Sequence, residues 1–346
     1  MPEVAAAPMN TEILVVDPHH PQPEPIAHAA AVLRAGGVVA FPTETVYGLG
    51  ADALSESAVS RIFAAKGRPA NNPLIVHIAD LDAARRLASH WPAAAEKLAS
   101  AFWPGPLTLV VPKAESIPAV VTAGGPTVAL RMPDHPVARA LLMAAQRPLA
   151  APSANLSTRV SAVRAEHVAA GLSGRIELIL DGGPTACGLE STVVDVSGPR
   201  PRLLRHGVIG AAELTASLGE DIEIVDRHAG DHDVGIASPG MHRKHYSPAV
   251  PLDIVDGSGA ADLAELLRTK SKIGWVSCGG DASPTAPREG VVQICLADEP
   301  EAYARRLYDT LHTLEAAGVE HIVVERPPRA PGWEAIHDRL TRAAAK

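Results

Sequence analysis

Residues 41–78 read FPTETVYGLGADALSESAVSRIFAAKGRPANNPLIVHI. A short apolar run, Val38 to Phe41, ends in a polar turn carrying Thr43, Glu44, Thr45 and Tyr47. An amphipathic stretch follows, with Val59, Ile62 and Phe63 at helical spacing, and Lys66-Gly67-Arg68-Pro69 ends it with helix-stopping residues. After Asn71-Asn72-Pro73 comes a second apolar run, Leu74 to Ile78, which contains His77. Hydroxyls, two cations, amides and an imidazole therefore gather at the ends of short buried elements. That is where α/β proteins keep their chemistry.

The flanking sequence continues the alternation. PIAHAAAVLRA at 25–35 predicts a helix, closed by Gly36-Gly37. Asp80 is placed to cap a helix through Ala88, and Pro92 to Phe102 predicts another. Strands are expected at Leu107–Val111, Thr127–Arg131, Leu149–Ala151, Ile176–Leu180 and Thr192–Val196, with the helical DHPVARALLMAAQ between the second and third. Ser161 is expected to start a helix through Ala170, and a short helical piece follows PRLLR from Gly210 to Leu218. From about 226 to 249 the apolar periodicity disappears, which marks a linker too long for an ordinary connection. Four more apolar runs (251–255, 273–276, 291–295, 321–324) then alternate with helices around 260–269, 299–317 and 333–345. The expected fold is α/β in two units: a larger one over 1–215, a linker over 216–249 and a smaller one over 250–346.

Composition narrows the function. At 346 residues, 47% apolar and 20% charged, the chain reads as soluble and globular, and its net charge of −8 argues against a surface built to hold nucleic acid. Cys187, Cys278 and Cys295 form neither a disulfide framework nor a CxxC zinc pattern, so a reduced, cytoplasmic setting is expected. The N-terminal stretch lacks the features of a signal peptide, and no apolar run is long enough to span a bilayer.

Taken singly, the polar residues leave their roles open. If the backbone is extended there, Lys66 and Arg68 would point to one side and grip a polyphosphate; taken alone, the pair reads first as a solvated helix C-terminus, where cations favour the dipole. Ser153 and Asn155, two apart in APSAN, suit a phosphate, a metal-bound water or a plain turn. Arg131 at the tip of a buried strand needs a carboxylate, either a ligand or an internal acid such as Glu44 or Asp134. Glu190-Ser191-Thr192 follows a glycine-bearing loop where backbone amides could approach a ligand, and Arg205 offers a further phosphate contact. His77 between two apolar neighbours has the pattern of a core histidine. His242 and His245, without an acidic partner at ligand spacing, are weak evidence for zinc, and Tyr246 beside them could stack on a base.

Together, FPTETVYGLG, KGRPANNPLIVHIAD, WPGPLTLV, TVALRMPDHPVA, PLAAPSANLS, GLESTVVD and SPGMHRKHYSP resemble the successive motifs of the Sua5/YrdC/YciO family, in its long, two-unit form. The resemblance implies a twisted open sheet with a concave cleft followed by a Rossmann-like C-terminal unit. It implies a nucleotidyltransferase joining L-threonine, bicarbonate and ATP, with Mg²⁺ carried on the phosphates, to supply the adenylate used for t6A at position 37 of ANN-reading tRNAs. The recipient would be a downstream tRNA-modifying machinery. The family signature falls on Lys66, Arg68, Ser153 and Asn155. By similarity, L-threonine would be held by Thr45, His77, Arg131, Ala151 and Ser191. ATP would be held by Lys66, Arg68, Asn72, Thr127, Ser153, Asn155, Ser161, Arg205 and Tyr246, the last acting as a lid carried by the linker. An RNA-binding module using the same cleft, and a carbamoyltransferase-like enzyme, are the competing readings; few aromatic residues are present for stacking.

Overall fold

The described residues, 10–225, 245–257, 260–279 and 289–345 of a computed structural model, begin with an edge strand β1 (Glu12–Val15) and a helix α1 (Pro23–Arg34). Next comes a hairpin absent from the sequence reading: β2 (Val39–Phe41) turns through Thr43–Val46 into an antiparallel β3 (Gly48–Asp52). The strand GLGAD carries no alternation and no β-branched residue. Its glycine is needed, because a Cβ on Gly50 would lie 2.7 Å from the Phe41 ring. Helix α2 (Glu56–Lys66) starts where the Ser55 hydroxyl accepts from the Ala58 amide. It ends at Gly67 in the left-handed conformation, with the Arg68 amide reaching back to Phe63. Lys66 and Arg68 are thus separated by a helix terminus rather than by extended backbone, and their side chains diverge.

The remainder of the first unit runs β4 (Ile75–His77), α3 (Leu81–Leu87), α4 (Ala93–Phe102), β5 (Leu107–Pro112), α5 (Ala119–Thr122) and β6 (Thr127–Arg131). Then follow α6 (Pro136–Ala145), β7 (Leu149–Ala150), α7 (Ala165–Leu172), β8 (Leu178–Asp181), β9 (Thr192–Asp195), β10 (Arg202–Arg205), α8 (Ala211–Leu218) and β11 (Glu223–Ile224). Helix α7 starts four residues beyond Ser161, so that serine sits in a connection and not at a helix start. The eleven strands form one mixed sheet, β1-β8-β2-β3-β7-β4-β6-β5-β9-β10-β11. Because β4 and β6 are parallel, His77 and Arg131 become neighbours at the same sheet end, while antiparallel β7 lets the Ala151 amide bond to Ile75.

The second unit consists of β12 (Leu252–Val255), α9 (Ala260–Leu266), β13 (Ile273–Cys278), β14 (Val291–Leu296), α10 (Pro300–Ala316), β15 (His321–Glu325) and α11 (Glu334–Ala343). Its four strands are all parallel, in the order β12-β15-β13-β14. The expected linker falls largely on 226–244, and with His242 lies outside the described residues.

The two units share a core in which Val46, Val160, Val163 and Leu189 pack with Tyr246, Tyr303, Leu307 and Tyr308. Polar ties flank it: Arg164 to Asp309 at 2.7 Å, Arg305 to the Ala186 carbonyl at 2.9 Å, and His312 to the Ser161 carbonyl at 3.1 Å. Helix α10 comes closest at Gly188, which has a φ of +76°; a Cβ there would lie 2.6 Å from Arg305 Cα and from the Ala304 carbonyl oxygen. Gly188→Ala should therefore destabilise the protein by about 1–3 kcal/mol through strain and overpacking together, read as a lowered thermal midpoint. An unchanged midpoint would mean that this contact does not hold the units together.

Candidate functional site

The cleft opens where the β2–β3 turn, the loop after β7, the loop before β9 and the end of β10 meet. Its empty space, open mouth included, is about 440 Å³. Thr45, Arg68, Arg131, Ser153, Ser191, Arg205 and Tyr246 line it, together with Val46, Ile75, Pro152, Glu190 and His245.

Each wall is fixed locally. The Thr43 hydroxyl donates to the Val46 carbonyl at 2.6 Å and accepts from the Thr45 and Val46 amides, a side-chain turn that sets Thr45 at the cleft. Ser191 is held by the Thr108 hydroxyl at 2.7 Å and accepts from Arg205 Nη2 at 3.1 Å, while Arg205 Nε donates to the Ser191 carbonyl. Arg68 closes its own turn by donating to the carbonyls of Asn72 (3.2 Å) and Pro73 (2.9 Å). Arg131 meets Glu44, not Asp134, at 2.8 Å. That contact is an ion pair without hydrogen-bond alignment, since Arg131 Nη2 and both Glu44 oxygens lack a hydrogen-bond partner. An arginine held this loosely is ready to exchange its partner for a ligand carboxylate.

Lys66 does something different. Its ammonium is buried and donates to the carbonyls of Ser153 (2.5 Å) and Asn155, and its own carbonyl accepts from the Ser157 amide at 2.9 Å. The loop 153–157 is clamped onto the end of α2 from both sides. Burial, with Arg68 nearby, pushes the Lys66 amine well below its ordinary range. Asn155 completes the clamp by donating to the Leu156 and Arg159 carbonyls at 2.7 and 2.8 Å. Lys66 and Asn155 thus stand behind Ser153, not in the lining. Asn72 is likewise buried, with its side-chain oxygen unpartnered. Thr127 begins β6 at the end opposite Arg131, about 13 Å along the strand, and does not join the lining.

The electrostatics are those of an anion site. Burial lowers Arg68 to about 10, with Arg205 adding to the effect; Arg205 is lowered by burial, by Arg339 and by Arg131. The guanidinium groups oppose one another's charge, a conflict that a polyanion in the cleft would relieve. His77 is pushed down to about 3, first by burial and then by Arg131, and is neutral at working pH. Its Nδ1 has no partner and its ring meets Phe41 edge-on at 6.1 Å. A histidine held neutral in the fold but free to charge when unfolded contributes stability above its unfolded pKa of about 6.5 that fades as pH falls toward 3. His77→Gln should therefore flatten the loss of unfolding free energy between about pH 6 and 4, followed by urea denaturation; an unchanged slope would contradict a neutral buried His77.

Tyr246 adopts a positive φ of 59°, is buried, and stacks on Tyr308 at 5.9 Å with the Arg339 guanidinium carbon 5.1 Å from its ring centre. Its hydroxyl is unpartnered. Sequence reasoning missed the contributions of Tyr308 and Arg339, whose helices look like ordinary amphipathic ones. It also read the Glu190 loop as a source of amides, whereas the Glu190 carboxylate is engaged by Ser161, Tyr308 and Arg339. His245 lines the cleft, pushed down to about 3 by burial. Among the described residues no cluster of His, Cys, Asp and Glu could hold a metal ion, and no helix is long and apolar enough to cross a membrane.

Fold and site define a two-unit α/β protein with a cationic, hydroxyl-lined cleft. The Sua5/YrdC/YciO family model, described as telomere recombination, matches residues 31–207, and the threonylcarbamoyl-AMP synthase C-terminal domain matches 209–345. The chain belongs to this family in its long form. It is 43% identical to the threonylcarbamoyl-AMP synthase of Pyrococcus abyssi over 91% of this chain and 93% of that protein. It is 44% identical to that of Bacillus subtilis over 92% of each. The crystal structure of P. abyssi Sua5 complexed with L-threonine superposes with a TM-score of 0.88 at 41% identity, covering 96% of this chain and 98% of the other.

Proposed function

We infer that the protein is a threonylcarbamoyl-AMP synthase, a nucleotidyltransferase that uses ATP, and that the cleft distributes its substrates between two walls. The observation that carries the reading is the convergence of Arg68, Arg131 and Arg205 on one cleft that is also lined by Thr45, Ser153 and Ser191. L-Threonine takes the wall of Thr45, Arg131 and Ser191, to which the resemblance adds His77 and Ala151, both buried and outside the lining. Arg131 receives the carboxylate as a fork, and the hydroxyls with neutral His77 select the threonine hydroxyl and amine. ATP takes the wall of Arg68, Ser153, Arg205 and Tyr246, to which the resemblance adds Asn72 and Ser161, both buried and outside the lining, with Lys66 and Asn155 acting through the loop they clamp. Thr127, placed on the ATP side by resemblance, would have to contribute from the far end of β6.

No side chain in the lining is an evident covalent nucleophile, so the cleft works by positioning and charge. The threonine amine attacks the carbon of bicarbonate, and one N–H proton leaves with the displaced hydroxide as water to give the carbamate. A carbamate oxygen then attacks the α-phosphorus of ATP, forming the P–O bond as pyrophosphate leaves. Among the described residues there is no protein cage for Mg²⁺: Glu190 in the lining and Glu44 beside it are paired with Arg339 and Arg131. The ion would arrive on phosphate oxygens and water, where it supplies charge neutralisation.

The organisation is a catalytic unit over 1–215, a linker over 216–249 and a second unit over 250–346; the two family models meet a few residues earlier, at 207 and 209, so the C-terminal model includes the linker. The product would pass to a tRNA-modifying partner, since a mixed carbamic–phosphoric anhydride hydrolyses readily unless consumed. Labelled bicarbonate supplied with L-threonine and ATP should appear in one product containing threonine and AMP by mass spectrometry. Label recovered only as free bicarbonate would sink the assignment.

A further inference from the structure

Glu190 lies one residue before Ser191, yet its carboxylate is engaged away from the proposed substrates. Oε1 accepts the Ser161 hydroxyl at 2.5 Å. Oε2 accepts Arg339 Nε at 2.8 Å and the Tyr308 hydroxyl at 3.1 Å. Both donors to Oε2 come from the second unit, on α11 and α10. Arg339 is itself fully enclosed, its other nitrogens held by Asp338 at 2.6 Å and the His206 carbonyl at 2.9 Å.

An ionised carboxylate only accepts, so the Ser161 proton is directed at Glu190 and the hydroxyl has lone pairs alone for any ligand. A protonated Glu190 could itself donate, which would free the serine to reorient.

We propose that Arg339 is a positioning residue for the nucleotide: by fixing Glu190 it makes Ser161 an acceptor, which selects a donor on the ligand, a ribose hydroxyl or an exocyclic amine, over a phosphate oxygen. The proposal rests on the assignment of Ser161 to the ATP wall. It gives the second unit a direct part in substrate recognition.

The charge balance explains why the arginine is required. Burial pushes the Glu190 carboxyl upward, but Arg339, then Arg205 and the Ser161 hydroxyl, outweigh it and hold the group at about 2. The other groups facing it are Tyr308 on α10, with Tyr246 and His245 from the segment before β12. With Arg339 present, Glu190 is ionised at every working pH. Without it burial dominates, the carboxyl rises, and the active ionised form is lost as pH falls.

The test uses the full-length protein and threonine-dependent pyrophosphate release. Arg339→Met should raise the KM for ATP about tenfold or more, with threonine KM moving less. It should also introduce an acid limb between about pH 5 and 7 that the parent lacks. The double variant Glu190→Gln/Arg339→Met should lose that limb, because the carboxyl that titrates is gone. A folded Arg339→Met variant with the parental ATP KM and a parallel pH profile overturns the proposal, as does lower turnover with neither change. Should Arg339→Met not fold, Arg339→Lys carries the test: a smaller rise in ATP KM supports the proposal and an unchanged KM overturns it. A parent protein without threonine-dependent release would overturn the functional assignment instead, so the two failures are distinct.

Discussion

Replacing Arg131 with alanine should raise the KM for L-threonine about a hundredfold or more, because a buried charge-paired contact is removed. The same change should cost the fold about 3–5 kcal/mol, since it strands Glu44 as an uncompensated buried carboxylate. The two effects have different origins and separate in a second variant. Arg131→Ala/Glu44→Gln removes the stranded charge and should recover much of the stability, measured by urea unfolding, while the threonine KM stays high. A threonine KM near the parental value in a folded Arg131→Ala protein would show that the carboxylate binds elsewhere.

Lys66→Ala should lower pyrophosphate release by about two orders of magnitude, although Lys66 does not line the cleft. The substitution removes two buried hydrogen bonds, to the Ser153 and Asn155 carbonyls, worth about 0.5–1.5 kcal/mol each. The loop that presents Ser153 then loses its clamp, so the expected signature is a raised ATP KM with the threonine KM much less affected. Steady-state kinetics in both substrates would decide. A Lys66→Ala enzyme with parental ATP KM and turnover would leave the clamp without a role.

The sequence made most strands and helices legible because buried apolar runs and capping residues are local signals. The strand Gly48–Asp52 was not legible, since its glycines serve the Phe41 ring across the hairpin rather than any local preference. Among site residues, those on short motifs at strand ends were found: Thr45, Arg68, Arg131, Ser153, Ser191, Arg205 and Tyr246 all reach the cleft. The spacing of Lys66 and Arg68 suggested one grip on a polyphosphate, whereas the left-handed Gly67 sends the two cations to different tasks. Arg339 gave no signal at all. It lies on a helix whose buried face reads as core, and its partner Glu190 is 149 residues away. A partnership of that kind exists only once the two units dock.

Pyrophosphate release from ATP by the full-length protein, measured with L-threonine and bicarbonate together and with each omitted in turn, tests the assigned reaction most directly. Release should require both and should collapse in Arg131→Ala. Release that proceeds equally without L-threonine, or no release with all three present, would contradict it.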